Sequence, residues 1–292
     1  MITRRQLAIG ASATLFACRF RPARAGTAAS AALEREFASI AAKSGGRLGV
    51  AMVDTGSGLT ASLRGDERFP LCSTFKLLAA AAILARVDAG QESLDREIEV
   101  RPQDIVTYSP ETEKHVGRTM TLAAICEAAI TLSDNTAGNL MLDTLGGPQA
   151  VTAYARSLGD TVTRLDRLET ALNDVAPGDP RDSTTPLAMI GDLQALLVGD
   201  ALTARSKDQL TAWLIANKTG DARLRAGLPP DWRVGDKTGS CNARTANDVA
   251  IARPPGRAPI LIAAYLTDSS ATREVQNAAL ADVGRAVAAA AG

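Results

Sequence analysis

The sequence predicts an α/β domain assembled from both ends of the chain, with an all-α domain inserted between them. Three observations carry this expectation. Strand-like segments lie near both ends, a long middle stretch has helical apolar spacing, and an Ala-rich amphipathic run closes the chain. The 292 residues, 46% of them hydrophobic, suffice for a sizeable core, and nothing points to disorder or repeats.

In order along the chain, "TAASAALEREFASIAAKSGG" has helical spacing and a stop at Gly45-Gly46. "RLGVAMVDTGSGLTASLRGD" reads as two strands around an Asp-Thr-Gly-Ser-Gly turn, a hairpin signal. From about Ser73 to Leu214 the signals are mostly helical: "STFKLLAAAAILARVDAG", "TLAAICEAAITLSDNTAGNLMLDTLGG", "GPQAVTAYARSLG" and "TTPLAMIGDLQALLVG". Then "WRVGDKTGSC", "ARTANDVAIARP" and "APILIAAYLTDSS" read as strands, and "ATREVQNAALADVGRAVAAAAG" as the closing helix. The expected boundaries give the α/β domain residues 26–66 and 214–292, and the all-α domain residues 67–213. A cleft between the two is the natural ligand site.

The first 25 residues read as an export signal. They hold an Arg pair, a small-residue apolar stretch and the triplet Ala23-Arg24-Ala25, an A-x-A cleavage site before Gly26. The apolar stretch from Leu7 to Ala17 is far shorter than the ~20 residues of a bilayer span. "TRRQLAIG" is similar to a twin-arginine signal. A lipoprotein reading, with Cys18 of "LFAC" acylated, is disfavoured by the bulk of Phe16. Cleavage after Ala25 removes five arginines and no acid, taking the formal charge from 0 to −5. A mildly acidic exported protein is a poor nucleic-acid binder, and nothing in the mature chain calls for a membrane. A single histidine, His115, argues against a zinc hydrolase, which usually needs two or three His ligands. The expectation is therefore no metal and no cofactor.

The stretch "FPLCSTFKLL" places Cys72 and Ser73 side by side, and either is a candidate nucleophile. If "STFKLL" opens a helix, Ser73 and Lys76 share a face, and a lysine amine whose surroundings lower its pKa can take the serine's proton. Free N–H groups at the helix start would stabilise an oxyanion beside Ser73. Alone, S-x-x-K reads better as a helix cap followed by a solvated lysine. It is not alone: Ser133-Asp134-Asn135 and Lys237-Thr238-Gly239 follow in order. A second Lys-Thr-Gly, at Lys218 to Gly220, trails the helical run "LTAWLIA", so Gly220 is expected to be a helix C-cap and Lys218 a complement to the dipole.

The ordered set S-x-x-K, S-D-N and K-T-G is the signature of class A β-lactamases and penicillin-binding proteins, and the chain resembles the class A serine β-lactamases over almost its whole mature length. "TRLDRLETALN", Thr163 to Asn173, resembles the loop that supplies a Glu and an Asn to the hydrolytic water, here Glu169 and Asn173. The resemblance implies a β-lactamase/DD-peptidase-like fold, with an antiparallel sheet flanked by the terminal helices. It implies a small-molecule β-lactam substrate and a monomeric enzyme. Ser73 would be acylated and Glu169 would activate the deacylating water. Ser133 would relay a proton to the β-lactam nitrogen, and Asn135 would bind the acylamide side chain and hold Lys76. Lys237 and Thr238, followed by Gly239, would take the substrate carboxylate, and the N–H groups of Ser73 and Ser240 would form the oxyanion hole. Arg167 and Asp182 match a loop-clamping ion pair, and Tyr108 an aromatic at the cleft rim, with His115 nearby in a structural role.

Two departures from the family pattern stand out. Where many members carry an arginine beyond K-T-G this chain has Ala246, with Arg244 nearby. Arg223 matches the position that substitutes in some relatives. Cys126 matches one half of a common cysteine pair, but Ala80 occupies the other half, so Cys126 is expected as a buried thiol. Cys72 and Cys241 flank the two oxyanion-hole serines and are expected to pair, which resembles the members that hydrolyse carbapenems. Such a bond would close a 169-residue separation, for which chain-entropy models give roughly 4–5 kcal/mol less any strain. The competing readings are a penicillin-recognising sensor that acylates once, and a DD-peptidase of the same fold.

Overall fold

The computed structural model describes residues 26–176 and 178–292. The expected export signal, with Cys18, lies outside the described residues. Helix α1 spans Gly26–Lys43 and buries Leu33, Phe37 and Ile40, one stripe at helical spacing. Strands β1 (Arg47–Asp54) and β2 (Thr60–Leu63) form the expected hairpin, with Val53 opposite Thr60. Asp54 Oδ1 closes the turn by accepting from the Gly56 N–H at 2.9 Å.

After β3 (Phe69–Pro70), a single 3-10 turn, Cys72–Thr74, leads into α2 (Phe75–Asp88). Every residue of α2 from Phe75 to Leu84 is buried, which fits a run that is apolar all round but for Lys76. Strands β4 (Glu97–Val100) and β5 (Arg118–Thr121) make a small ribbon ahead of α3 (Leu122–Thr131). Helix α4 (Asn135–Leu145) is capped by Asp134, whose carboxylate accepts from Ala137 N–H at 2.8 Å, and ends at Gly146 with φ 95°. Helix α5 spans Pro148–Ser157. Strand β6 (Ser183–Thr184) pairs with β3, followed by α6 (Pro186–Leu197), α7 (Ala204–Ile215) and the single turn α8 (Leu224–Gly227).

Strands β7 (Arg233–Gly239), β8 (Ala246–Arg253) and β9 (Ile260–Thr267) complete the main sheet, and α9 (Arg273–Ala291) closes the chain. The order is β2-β1-β9-β8-β7, antiparallel throughout. Both faces are covered. Leu48, Val50, Ile262 and Ala264 pack with Phe37 of α1 and Leu280 of α9, while Val249, Leu261, Ala263 and Tyr265 pack with the core of α2 and α6. Double coverage is why "ILIAAYLT" reads as a continuous apolar run although its neighbours are antiparallel.

Two expectations need correction. The middle segment contains the ribbons β3–β6 and β4–β5, which are too short for a period-2 signal. Gly220 is not a helix cap, because α7 ends at Ile215 and is capped by Ala216. A Cβ at Gly220 would lie 1.8 Å from Asp236 Oδ2, so the glycine is there for a close approach to β7. Lys218 does not cap α7 either, and its N–H donates to Thr131 O at 2.9 Å. Cys126 is free and buried, and burial pushes its thiol up. Among the described residues no helix is long and apolar enough to cross a membrane.

Candidate active site

The start of α2, the turn before α4, the 163–182 loop and the inner edge of β7 converge on one cleft of about 350 Å³. Ser73, Tyr108, Ser133, Asn135, Asn173, Thr238, Arg223 and Ser240 all line it. Three non-glycine residues around it hold left-handed backbone: Cys72 (φ 45°), Tyr108 (φ 65°) and Ser133 (φ 59°). Such conformations cost energy and persist where packing fixes them, commonly at functional sites.

Ser73 lies on the 3-10 turn one step before α2, and Lys76 on the first turn of α2. Lys76 is fully buried, and its Nζ donates to Ser73 Oγ (3.1 Å), Asn135 Oδ1 (2.7 Å) and Ser133 O (2.8 Å). Glu169 Oε1 stands 3.2 Å from the same nitrogen and accepts from Ser73 Oγ at 3.3 Å. Burial pushes the Lys76 amine below the usual lysine range, and the neighbouring Glu169 carboxylate opposes that shift. Gly138 of α4 gives the lysine room, since a Cβ there would meet Lys76 Cε at 2.8 Å.

Asp134 fixes the other side. Besides capping α4 it accepts from the N–H groups of Glu111 (3.0 Å) and Thr112 (2.9 Å), tying down the loop that carries Tyr108. Asn135 adds to this tie, accepting from Lys76 while its Nδ2 donates to Thr107 O at 2.9 Å. Tyr108 is 57% exposed at the rim. His115 lies away from the cleft lining, 3.3 Å from Glu111.

Glu169 is buried on a loop clamped by Arg167 Nε to Asp182 Oδ2 at 2.6 Å. Asn173 Nδ2 donates to Glu169 Oε2 at 2.6 Å. The sequence did not reveal Asn139, whose side chain holds the Glu169 backbone from both sides. Glu169 N–H donates to Asn139 Oδ1 (2.8 Å), and Asn139 Nδ2 donates to Glu169 O (2.9 Å). The available signal was its i+4 spacing from Asn135 on α4, the same helix face.

On β7, Lys237 Nζ donates to Ser133 Oγ at 3.0 Å. Burial, and next the charge of Lys76, push the Lys237 amine well below the usual range. Arg223 is buried; its guanidinium donates to Gly239 O (2.9 Å), Asn247 O (2.6 Å), Ser240 Oγ (2.7 Å) and Asn277 Oδ1 (3.1 Å). It therefore braces the end of β7 at the cleft. Arg244 turns away, its guanidinium 3.3 Å from Asp268 O. Cys72 and Cys241 are joined by a disulfide with Cα atoms 5.5 Å apart, linking the Ser73 turn to the segment after β7. Cys72 is thereby removed as a nucleophile.

Comparison with known proteins agrees with this geometry. The Beta-lactamase enzyme family matches residues 32–291. The chain belongs to the class A β-lactamases. It is 54% identical over 258 residues to Beta-lactamase AST-1 of Nocardia asteroides, covering 88% of this chain and 83% of that one. It is 46% identical over 255 residues to Beta-lactamase CTX-M-8 of Citrobacter amalonaticus, covering 87% and 88%. Among solved structures, an ancestral class A β-lactamase (GNCA) superposes with a TM-score of 0.87 at 61% identity, covering 88% of this chain and 99% of that one. The coarse activity of this β-lactamase, hydrolysis of β-lactams, follows from that membership.

Proposed function

We propose that this β-lactamase works through an acyl-enzyme on Ser73 that is hydrolysed by water activated at Glu169. The observation that carries the reading is the Ser73 hydroxyl, which touches both a buried amine and a buried carboxylate. Lys76, held below its usual pKa, passes a proton to Glu169 Oε1 and, as the free amine, takes the Ser73 proton as Oγ attacks the lactam carbonyl. The N–H groups of Ser73 and Ser240 receive the oxyanion. The C–N bond then breaks as Ser133, hydrogen-bonded to Lys237, passes its proton to the nitrogen and is reprotonated by Lys76, which recovers its own proton from Glu169. Lys237 and Thr238, with Arg223 bracing Ser240, take the substrate carboxylate, whose negative charge draws the Lys237 amine back toward its charged form. Asn135 takes the acylamide side chain, and Tyr108 covers the rim. In the second half Glu169 and Asn173 hold a water, Glu169 takes its proton, and the hydroxide attacks the ester while Glu169 returns the proton to Ser73 Oγ as it leaves.

The same reading makes the enzyme an exported, periplasmic monomer whose signal is cleaved after Ala25, and it extends the substrates to carbapenems through the Cys72–Cys241 pair. The test is Glu169→Ala mixed with a penicillin and followed by mass spectrometry. A stable adduct on the peptide containing Ser73 is expected. No adduct, or wild-type turnover, would sink the mechanism. Steady-state rates on a penicillin, a cephalosporin and a carbapenem, with and without reduction, test the extension.

A further inference from the structure

Thr219 lines the cleft beside Thr238, Arg223 and Ser240, on the copy of Lys-Thr-Gly whose sequence context suggested a helix cap. Its backbone N–H donates to Asn217 Oδ1 at 3.0 Å, and its hydroxyl reaches the same oxygen at 2.9 Å. A backbone N–H can only donate, so the Asn217 atom facing Thr219 is the amide oxygen, and the amide nitrogen faces Asp236 Oδ2. An amide oxygen can only accept, so the single proton of the Thr219 hydroxyl goes to Asn217. Thr219 Oγ1 is also hydrogen-bonded to Thr238 Oγ1. With the Thr219 proton already placed, the donor in that bond is Thr238. In the free cleft, Thr238 thus turns its proton toward Thr219 and shows lone pairs to the space where an anion is to bind.

We propose that Thr219 is a positioning residue that sets the selectivity for the substrate carboxylate by holding the Thr238 proton. The proposal rests on the reading of Lys237 and Thr238 as the carboxylate subsite. Binding of the anion reverses the chain: the Thr238 proton rotates to the carboxylate, and the Thr219 proton rotates from Asn217 to Thr238. Each proton stays on its own oxygen. Asn217 Oδ1 keeps only the Thr219 backbone N–H, so the anion binds against the loss of one neutral hydrogen bond. A neutral ester, a weaker acceptor, leaves the chain as it is. Thr219 therefore narrows the preference for anionic over esterified substrates.

The test compares a penicillin with its methyl ester on Thr219→Val, which keeps the shape and removes the hydroxyl. KM for the acid is expected to fall about threefold to tenfold, the worth of one neutral hydrogen bond, with kcat within about twofold and the ester unchanged. Thr219→Ser, which restores the hydroxyl, is expected to return both substrates to wild-type values. An acid KM that stays or rises, or acid and ester moving together, overturns the proposal. Should the valine variant not fold, Thr219→Ala carries the same expectations. Thr238→Val run in parallel separates the two layers. If it raises KM for the acid alone while Thr219→Val is silent, only the Thr219 proposal falls. If it treats acid and ester alike, the subsite reading falls and takes the proposal with it.

Discussion

Asn139→Ala separates the two halves of the reaction. The Asn139 side chain makes two hydrogen bonds to the Glu169 backbone, at 2.8 and 2.9 Å, and the Glu169 side chain is fully buried. Removing both bonds leaves a backbone donor and acceptor without partners, a loss of about 1–3 kcal/mol at 0.5–1.5 kcal/mol for each bond. The loop keeps its Arg167–Asp182 clamp and relaxes locally, so Glu169 moves while Ser73, on the 3-10 turn before α2, and Lys76, on α2, stay in place. A displacement near 1 Å of a group that must align water with an ester costs on the order of 100-fold. Deacylation is therefore expected to slow by about 10–100-fold and acylation by less than about threefold. The assay is a stopped-flow burst with a chromogenic cephalosporin, with mass spectrometry of the quenched enzyme. A burst of one equivalent and an accumulated Ser73 adduct are expected. Equal loss in both steps, or no accumulation, would refute the assignment of Asn139 to Glu169 positioning and leave it a general structural role.

Two further outcomes test the framework. Replacing Cys72 and Cys241 by serine is expected to lower stability by about 2–5 kcal/mol, read as a Tm drop of about 5–15 °C, and an unreduced residue 26–292 protein unfolded in denaturant should show one free thiol, Cys126. Asp192 on α6 is buried, and burial, followed by the charge of Asp160, pushes its carboxyl up to about 9. Its folded pKa lies above its unfolded one, so the unfolded chain gives up this proton first, and stability is lost as pH rises from about 4 toward 9. Asp192→Asn cannot ionise, so its melting temperature should exceed that of wild type at pH 8 and converge with it below pH 4. A constant difference across that range would show that Asp192 does not titrate as described.

The residues legible in the sequence share one property: their spacing is fixed by local backbone. Ser73 and Lys76 sit one helical turn apart where the 3-10 turn runs into α2, Asp134 caps the helix that Asn135 opens, and Lys237 to Gly239 end a strand. Short motifs encode such relations because nothing but the element itself has to form. The apolar pattern likewise located the terminal strands and helices, since burial of their faces follows the element's own period. What escaped depends on contacts between distant segments. Asn139 matters because a loop thirty residues later lays its backbone against that side chain. Strands of two to four residues such as β3 and β6 exist only as each other's partner.

Gly220 shows how a sound local rule fails for this reason. Glycine after a helix is the usual mark of a C-cap. Here the residue is selected by the Asp236 carboxylate, which occupies the place of its side chain. The same packing brings Thr219 onto Thr238, so the Lys-Thr-Gly copy without a nucleophile beside it still reaches the cleft. The two copies meet face to face, β7 supplying the groups aimed at substrate and the segment after α7 supplying the hydroxyl and amide that orient one of them. A motif search ranks such copies against each other. The structure instead makes the second copy the support of the first, which is why a substitution at Thr219 should register in carboxylate recognition while leaving the chemistry at Ser73 in place.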